Sequence, residues 1–490
     1  MQQAILILAH KKPDQVIRLI HYFEGQCDIF IHVDRRSGFT SKEIEVLKAQ
    51  PGVKGVYRKY KLHWGGFSIL QAEMLLLKEA LKHSDCRYVH LISGQDYPLK
   101  PLSHFLSFFE TANEEFLGRT HLPSPNWDDN TYQRLQYYYP MDWFAPQTPD
   151  EIQQMWSFAH WQERWGIKRH IPTQFKHIYG GSQWFSITRP CLDAVIRYSK
   201  RHPSFFRRMR FTFVPDEIYM QTLIMNVEFP KKEIGNGNKR FINWRKNEDV
   251  NHSLDLAAGR FHEMSSTDAF FARKFNYPAS EELMDMIDEY LLKEVPFATF
   301  PNGSWNYRGF HKYKFDWGLA KGIIQLCSIC NIKTVMDLGC GPGWYVTALR
   351  REKIAAMGVD GNPYTEELSR LLLGDTQYPC TQVDLTDELA VEEPYDLTLF
   401  ISVGEYIPPQ YEETVIDNVC KSSGKYLLLS WADATIEEEE NKPAHPLPED
   451  ALTEKISQHG FRKDMMGTHV LRNCAWTDRN KKHILLFQRL

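Results

Sequence analysis

Two groups of chemistry-bearing residues stand in different parts of this 490-residue chain, and no single active site needs both. In the later part, residues 334–343 read TVMDLGCGPG, a strand running into a glycine-rich turn. Asp337 precedes Gly339, Cys340, Gly341 and Gly343 there. Glycines so spaced let the chain turn sharply and bring its backbone close to a ligand beside a helix N-terminus. Asp360 ends the strand AAMGVD, where a carboxylate can hold both hydroxyls of a ribose. Asp384, in TQVDLTD, ends the next strand, near where an adenine would lie. In the earlier part, His10, Asp34 and Asp96 stand at strand ends, and Glu217 lies in VPDEIYMQTL. Pro215–Asp216 is expected to start a helix that aims Glu217 into a cleft. A carboxylate so placed can act as a general base, or it can simply be a first-turn acid favoured by the helix dipole.

Holding these residues takes two sheets. AILILAH (4–10) and DIFIHVD (28–34) are continuous apolar runs suited to buried parallel strands. A helix is expected between them from about Pro13 to Glu24, with Pro13 in its first turn. Ser68 and Gln71 have capping-box spacing ahead of ILQAEMLLLKEAL, which predicts a long helix leading into RYVHLIS (87–93). That β-α-β alternation predicts an α/β sheet with active groups at the carboxyl ends of its strands. The aromatic-rich stretch of about 120–180 reads as long substrate-facing loops with some helix. SEELMDMIDEYLLKEV predicts a helix with Ser280 as N-cap, and VPFATFPNGSWNYRG after it carries linker signals. Strands return in KTVMDLG, AAMGVDG, YDLTLFIS, GKYLLLSW and KHILLFQRL. The expected division is residues 1–290, a linker at 291–305, and residues 306–490.

Composition narrows the function classes. The balance of 58 Lys+Arg against 62 Asp+Glu leaves no global basic field and argues against nucleic acid as a partner. Aromatic residues make up 13%; rings in loops suit pyranose faces and equally suit a plain core. The apolar run that opens the chain suits a first buried strand and is too short for a signal-peptide core. Cys327 and Cys330 form the only CxxC, without a second ligand pair, and read as buried thiols in a reducing cytoplasm.

The series DLGCGPG, Asp360, Asp384 and ISVGEYIPP resembles the class I S-adenosylmethionine-dependent methyltransferases over about residues 305–490. The resemblance implies a Rossmann-like domain with Asp337 and Gly339–Gly343 around the methionine part of S-adenosylmethionine, Asp360 on the ribose and Asp384 near the adenine. Tyr406 stands where that family often has histidine. A dinucleotide-binding domain would want GxGxxG, and Pro342 and Trp344–Tyr345 break that pattern.

AHKKP, IHVDRRS, HWGGFS, YVHLISGQDYPLK, YGGSQWFSITR, VPDEIYMQTL, RFINW and FFARKFN, in that order over residues 1–290, resemble the family 14 glycosyltransferases. These are the core-2/I-branching β-1,6-N-acetylglucosaminyltransferases and the protein xylosyltransferases, and HWGGFS leans toward the latter. The resemblance implies a GT-A-type α/β fold and metal-independent, inverting transfer from a UDP-sugar to a glycan or other hydroxyl acceptor. No D-x-D motif, which would clamp a metal on a diphosphate, is found; Asp34 is followed by Arg35 and Arg36. By motif, Glu217 would be the base, and Lys274 with Arg273 would neutralise the departing diphosphate. His10, Asp34 and Asp96 would line the donor site, and Trp244 the acceptor side. Together the two resemblances imply a glycosyltransferase fused to a methyltransferase that modifies the same glycan. A lipid-linked acceptor would bring such an enzyme to a membrane surface. The alternative is a glycan-binding module attached to one active methyltransferase.

Overall fold

The computed structural model describes residues 2–124, 131–146, 148–170, 175, 177–230, 233–235, 237–243, 255–373, 379–434 and 444–490. The chain divides into two compact units, Met1–Ala258 with Thr267–Ile287 and Gly259–Ser266 with Asp288–Leu490. No helix among the described residues is long and apolar enough to cross a membrane, and all nine cysteines are free.

The first unit is built on a six-stranded sheet. Strands β1 (Gln3–Ala9), β2 (Cys27–Val33), β3 (Val53–Tyr57) and β4 (Tyr88–Ser93) run parallel. The short strands β5 (Phe116–Leu117) and β6 (Phe185–Thr188) add an antiparallel edge, in the order β3-β2-β1-β4-β6-β5. Every residue of β1, β2 and β4 is buried, as their apolar runs require of strands covered on both faces. The two-residue period of β1 divides it between two cores. Ala4, Leu6 and Leu8 pack with Leu70, Met74 and Leu77 of α2 (Phe67–His83), whereas Ile5, Ile7 and Ala9 pack with Val16 and Leu19 of α1 (Pro13–Tyr22). Each buried Leu or Ile contributes about 1.5–3 kcal/mol, so a one-residue slip of β1 would exchange both cores at once.

A buried side chain on α1 ties the ends of this unit together. Gln15 Nε2 donates to the carbonyls of Gly94 and Phe275, both at 3.1 Å, and its Oε1 accepts the Tyr277 N–H at 3.1 Å. Beside it, Tyr97–Pro98, Phe271–Arg273 and Arg240–Ile242 form a small second sheet.

Several local expectations change. The Ser68–Gln71 capping box does not form, because α2 starts two residues earlier, from Gly66, and the Ser68 hydroxyl bonds Asp142 at 2.6 Å instead. Gly66 is required there, since a Cβ would stand 2.4 Å from Asp142 Oδ1. The 120–180 stretch holds a long helix, α3 (Pro149–Arg164), which opens on a Thr148–Glu151 capping box with Pro149 in its first turn. Ser280 does not cap its helix through its side chain: its hydroxyl donates to the Leu256 carbonyl at 2.6 Å, and the helix itself spans only Glu281–Ile287.

The second unit carries a seven-stranded sheet. Its strands are β7 (Thr334–Leu338), β8 (Ala355–Asp360), β9 (Cys380–Gln382), β10 (Tyr395–Ile401), β11 (Ser423–Ser430), β12 (Phe461–Lys463) and β13 (Ile484–Arg489), in the order β9-β8-β7-β10-β11-β13-β12. β13 pairs antiparallel with both β11 and β12, and the remaining pairs are parallel. β7 pairs with β8 on one side and β10 on the other, so the strand order reverses beside it and opens a crevice at the carboxyl ends. Residues 291–305, expected as a linker, belong to this unit. Ala298–Thr299 and Trp305–Asn306 pair as a hairpin whose tip is the Pro301–Asn302 turn, closed by the Gly303 N–H on the Phe300 carbonyl at 2.9 Å.

Candidate active sites

The first unit gathers cations at its strand ends. Arg273 ends the middle strand of the small sheet, and its guanidinium lies over the Trp184 ring, 3.9 Å from the ring centre. Its Nε stands 3.6 Å from Asp96 Oδ1, and Asp96 Oδ2 accepts the Ser93 N–H at 3.1 Å. Both side chains are almost completely buried, yet Arg273 Nη1 and Asp96 Oδ1 have no hydrogen-bond partner. A buried donor left unmade costs about 1–3 kcal/mol, more when charged, so Nη1 is poised for an acceptor. Burial, and then the neighbouring Arg273, lowers the pKa of Lys274. His10 is brought down to about 4 by burial first and then by Lys11, with Lys274 and Arg273 adding to the effect. At ordinary pH the imidazole is neutral and the site's positive charge rests on Lys11, Arg273 and Lys274.

Asp34 is engaged by the fold. Its Oδ1 accepts the N–H groups of Arg36 at 2.9 Å and Leu62 at 3.0 Å, which holds the turn after β2.

Glu217 lies across a loop from these cations. The Gly181 N–H donates to the Glu217 carbonyl at 2.9 Å, and Trp184, three residues on, carries Arg273. Pro215–Glu217 is a single 3-10 turn, and helix α4 (Tyr219–Asn226) begins after it. The turn is entered through Val214 at φ 50°, a left-handed conformation costly for a β-branched residue and held by the Val214 N–H bond to the Gly65 carbonyl. That kink leaves Glu217 partly exposed and turns Asp216 inward. Arg134 Nη1 donates to Glu217 Oε2 at 3.1 Å. Burial, and next the charge of Glu217, pushes Asp216 up to about 7. Glu73 of α2, wholly buried, is raised well above the carboxylate range by burial and then by Asp216. Of the three acids, Glu217 alone keeps a partly solvated carboxylate beside a cation. Trp244 lies outside the described residues.

The second unit holds a cavity of about 410 Å³ at the crevice beside β7. Asp337, Gly339, Cys340, Gly341, Asp360 and Asp384 all line it. Gly343 does not: it caps α5 (Trp344–Arg351) at φ 85°, where a Cβ would meet Cys380 Sγ at 2.7 Å. Gly339 is needed for packing, since a Cβ there would stand 2.2 Å from Val403. Asp337 is buried with Oδ2 unpartnered, and burial, followed by the charge of Asp360, pushes its pKa up to about 8. Asp360 accepts the N–H groups of Gly341 at 2.7 Å and Asn362 at 2.8 Å, and burial raises it too. Burial also works to raise Asp384, but bonds from Thr386 and Asn302 outweigh it and hold that carboxyl below its usual range. These residues fit S-adenosylmethionine: an orphaned buried carboxylate for its ammonium and a second acid for hydroxyls.

The structure adds residues that sequence reasoning did not assign. Arg134 and Trp184 are the partners of Glu217 and Arg273; Trp184 sits inside YGGSQWFSITR, but Arg134 carries no sequence signal. Tyr313 and Trp305 wall the cavity from the segment before β7, and Arg479 reaches in to pair with buried Glu405 while donating to Tyr406 Oη at 3.0 Å.

A family model described as "Branch: Core-2/I-Branching enzyme" matches residues 4–268. Xylosyltransferase 2 of Canis lupus familiaris is 21% identical over 333 residues, covering 64% of this chain and 36% of that protein. Xylosyltransferase 1 of Rattus norvegicus is 22% identical over 305 residues, covering 59% and 34%. The chain thus spans about a third of the length of these relatives. Among solved structures, magnesium protoporphyrin IX methyltransferase from Synechocystis PCC 6803 with bound SAH aligns with 35% of this chain and 82% of its own, at 17% identity and a TM-score of 0.28. A TehB-like SAM-dependent methyltransferase from Corynebacterium glutamicum aligns at 14% identity and a TM-score of 0.29, covering 37% and 91%.

Proposed function

This chain belongs to the core-2/I-branching enzyme family, and from that premise we propose that its first unit is an inverting, metal-independent glycosyltransferase. It moves xylose or N-acetylglucosamine from a UDP-sugar to a hydroxyl of a glycan. The observation that carries this reading is the buried Arg273 guanidinium with an unmade hydrogen bond, beside Lys274. Glu217 removes the proton of the acceptor hydroxyl, and that oxygen attacks the anomeric carbon as the sugar–phosphate bond breaks. The diphosphate leaves with its charge met by Arg273 and Lys274, donors preorganised where charge develops. Arg134 bonds the Glu217 carboxylate, while buried Asp216 resists ionising beside it.

The second unit, in the same proposal, is a methyltransferase acting on the same glycan. Asp337 would hold the ammonium of S-adenosylmethionine, Asp360 its ribose hydroxyls, and Asp384 the region of its adenine. That cofactor supplies an electrophilic methyl group; the chain supplies the acidic cradle and the aromatic walls that keep water out. A reducing cytoplasm is the setting we propose, in keeping with nine free thiols.

The test is a donor panel, with UDP release and glycan mass read together for UDP-xylose and UDP-N-acetylglucosamine. Release with a matching mass gain on a hydroxyl acceptor supports the reading. Glycan binding without release from any donor would make the first unit a binding module and leave one enzyme on the chain.

A further inference from the structure

The cavity beside β7 has a wall that its acids do not explain. Trp305, Tyr313 and Tyr406 all line it, each half-buried. The Trp305 ring centre lies 5.7 Å from that of Tyr313 and 5.4 Å from that of Tyr406, at interplanar angles of 40° and 68°. Rings so inclined do not stack into a flat layer; they stand around one corner of the cavity.

Each ring is fixed by the fold. Trp305 sits on the return strand of the 298–306 hairpin, whose tip is tied to Asp384 through Asn302. Gly303, beside that tip, lies so close to Tyr406 that a Cβ would stand 2.3 Å from the Tyr406 carbonyl oxygen. Tyr313 donates its hydroxyl to the Tyr307 carbonyl at 3.2 Å, and a Cβ on Gly341 would stand 2.8 Å from its ring. Tyr406 is held by Arg479, which is itself paired with buried Glu405. The Arg479 guanidinium stands 5.6 Å over the Tyr406 ring, so Trp305 and Tyr313 are the principal faces left for a cation from the ligand.

The acids say which cation that is. Asp337 suits an ammonium and Asp360 suits ribose hydroxyls, and in S-adenosylmethionine the sulfur joins the parts that carry those groups. Gly341 lies between the two acids: it follows Asp337 in the glycine-rich turn, and its N–H donates to Asp360 at 2.7 Å. Tyr313 covers that glycine. A sulfonium has a full positive charge but no N–H or O–H to donate, and aromatic faces attract such a cation through their quadrupole. Two further acids of the wall are spent elsewhere. Asp316 accepts the N–H groups of Leu319, Trp476 and Thr477, and the Asp478 side chain is 89% exposed beside Lys481.

We propose that Trp305 and Tyr313, backed by Tyr406, form an aromatic cage for the sulfonium, through which the second unit prefers S-adenosylmethionine to S-adenosylhomocysteine. The inference rests on the reading of that unit as a methyltransferase. Loss of the methyl group removes the charge that the rings hold, so the spent cofactor is bound less tightly and leaves.

The test is calorimetric titration of the full chain with S-adenosylmethionine and with S-adenosylhomocysteine, and it needs no methyl acceptor. The wild-type chain should bind the charged ligand more tightly. Trp305→Leu keeps apolar bulk and removes the aromatic face; the ratio of the two affinities should fall by roughly 5–30-fold. Trp305→Phe, a weaker face than indole, should fall between wild type and Trp305→Leu. Retained binding of S-adenosylhomocysteine shows that a variant is folded; should Trp305→Leu unfold, Trp305→Phe and the wild-type ratio still decide. An unchanged ratio in the variants, with both affinities kept or both lowered together, overturns the cage and leaves the methyltransferase reading in place. So does a wild-type chain that holds S-adenosylhomocysteine as tightly as S-adenosylmethionine or more so. Binding of neither ligand to the wild-type chain overturns both.

Discussion

The two strand-end sites of this chain face opposite electrostatic problems. In the first unit, Lys11, Arg273 and Lys274 converge where β1 and the small sheet end, with one buried carboxylate, Asp96, beneath them. In the second, Asp337, Asp360 and Asp384 converge around the cavity beside β7. Both sites put charge where water has been displaced, and both pay in an unmade hydrogen bond, on Arg273 in one and on Asp337 in the other. A parallel α/β sheet offers the same crevice in each case, so the side chains at the strand ends decide whether an anion or a cation is wanted there.

The sharpest way to break this comparison is Glu217→Gln, which keeps shape and removes basicity. Sugar transfer should fall by roughly 10²–10⁴-fold with thermal stability nearly unchanged. A rate within a few-fold of wild type would return Glu217 to the role of a turn acid held by Arg134. Next in size, Asp360→Ala should weaken S-adenosylmethionine by roughly 10–150-fold and leave UDP binding untouched. Part of that loss comes through the Gly341 amide, which Asp360 also holds. Calorimetric titration of both ligands decides it, and a parallel loss of UDP binding would mean the sites are not independent.

A smaller effect concerns pH. Asp337 is pushed up to about 8 in the folded chain, far above its ordinary value of 3.8, so the folded state binds more protons across that range. Stability of the ligand-free second unit should therefore fall as pH rises from about 4 to about 8. Asp337→Asn should raise its unfolding temperature at pH 8 by at least ~2 °C and leave it unchanged at pH 4. Equal melting of both proteins at pH 8 would show that Asp337 is ionised without cost. The smallest expected effect is none: EDTA should leave sugar transfer intact, and loss on chelation with recovery on Mn²⁺ would remove Arg273 and Lys274 from the role of diphosphate partners.

Much of this was legible in the sequence because the relevant residues are local. The runs 4–10 and 28–34 are long enough to fix buried strands, and DLGCGPG places Asp337 and its glycines without tertiary knowledge. What stayed hidden depends on distant partners. Nothing around Arg134 marks it as the cation on Glu217, 83 residues away. The Ser68 capping signal was real in spacing, yet Asp142 competes for that hydroxyl. Residues 291–305 carry the Pro, Asn and Gly of a linker, but the same residues make a hairpin, held by the pairing of Ala298–Thr299 with Trp305–Asn306 and by the Asn302 bond to Asp384. The Thr148–Glu151 capping box, by contrast, was present in the sequence and lay inside a stretch read as long loops with some helix.

The contacts of Gln15 set an order of events during synthesis. This side chain, near the start of the chain, is satisfied only when Phe275 and Tyr277 arrive, some 260 residues later. At roughly 5–20 residues per second, the central strand and first helix wait on the order of 10–50 s at the ribosome before their last partners emerge. Over that interval the small sheet cannot close, because its middle strand, Phe271–Arg273, has not been made. Nascent chains arrested before residue 271 should be cut by protease within the first unit, and chains long enough to free residue 287 should resist.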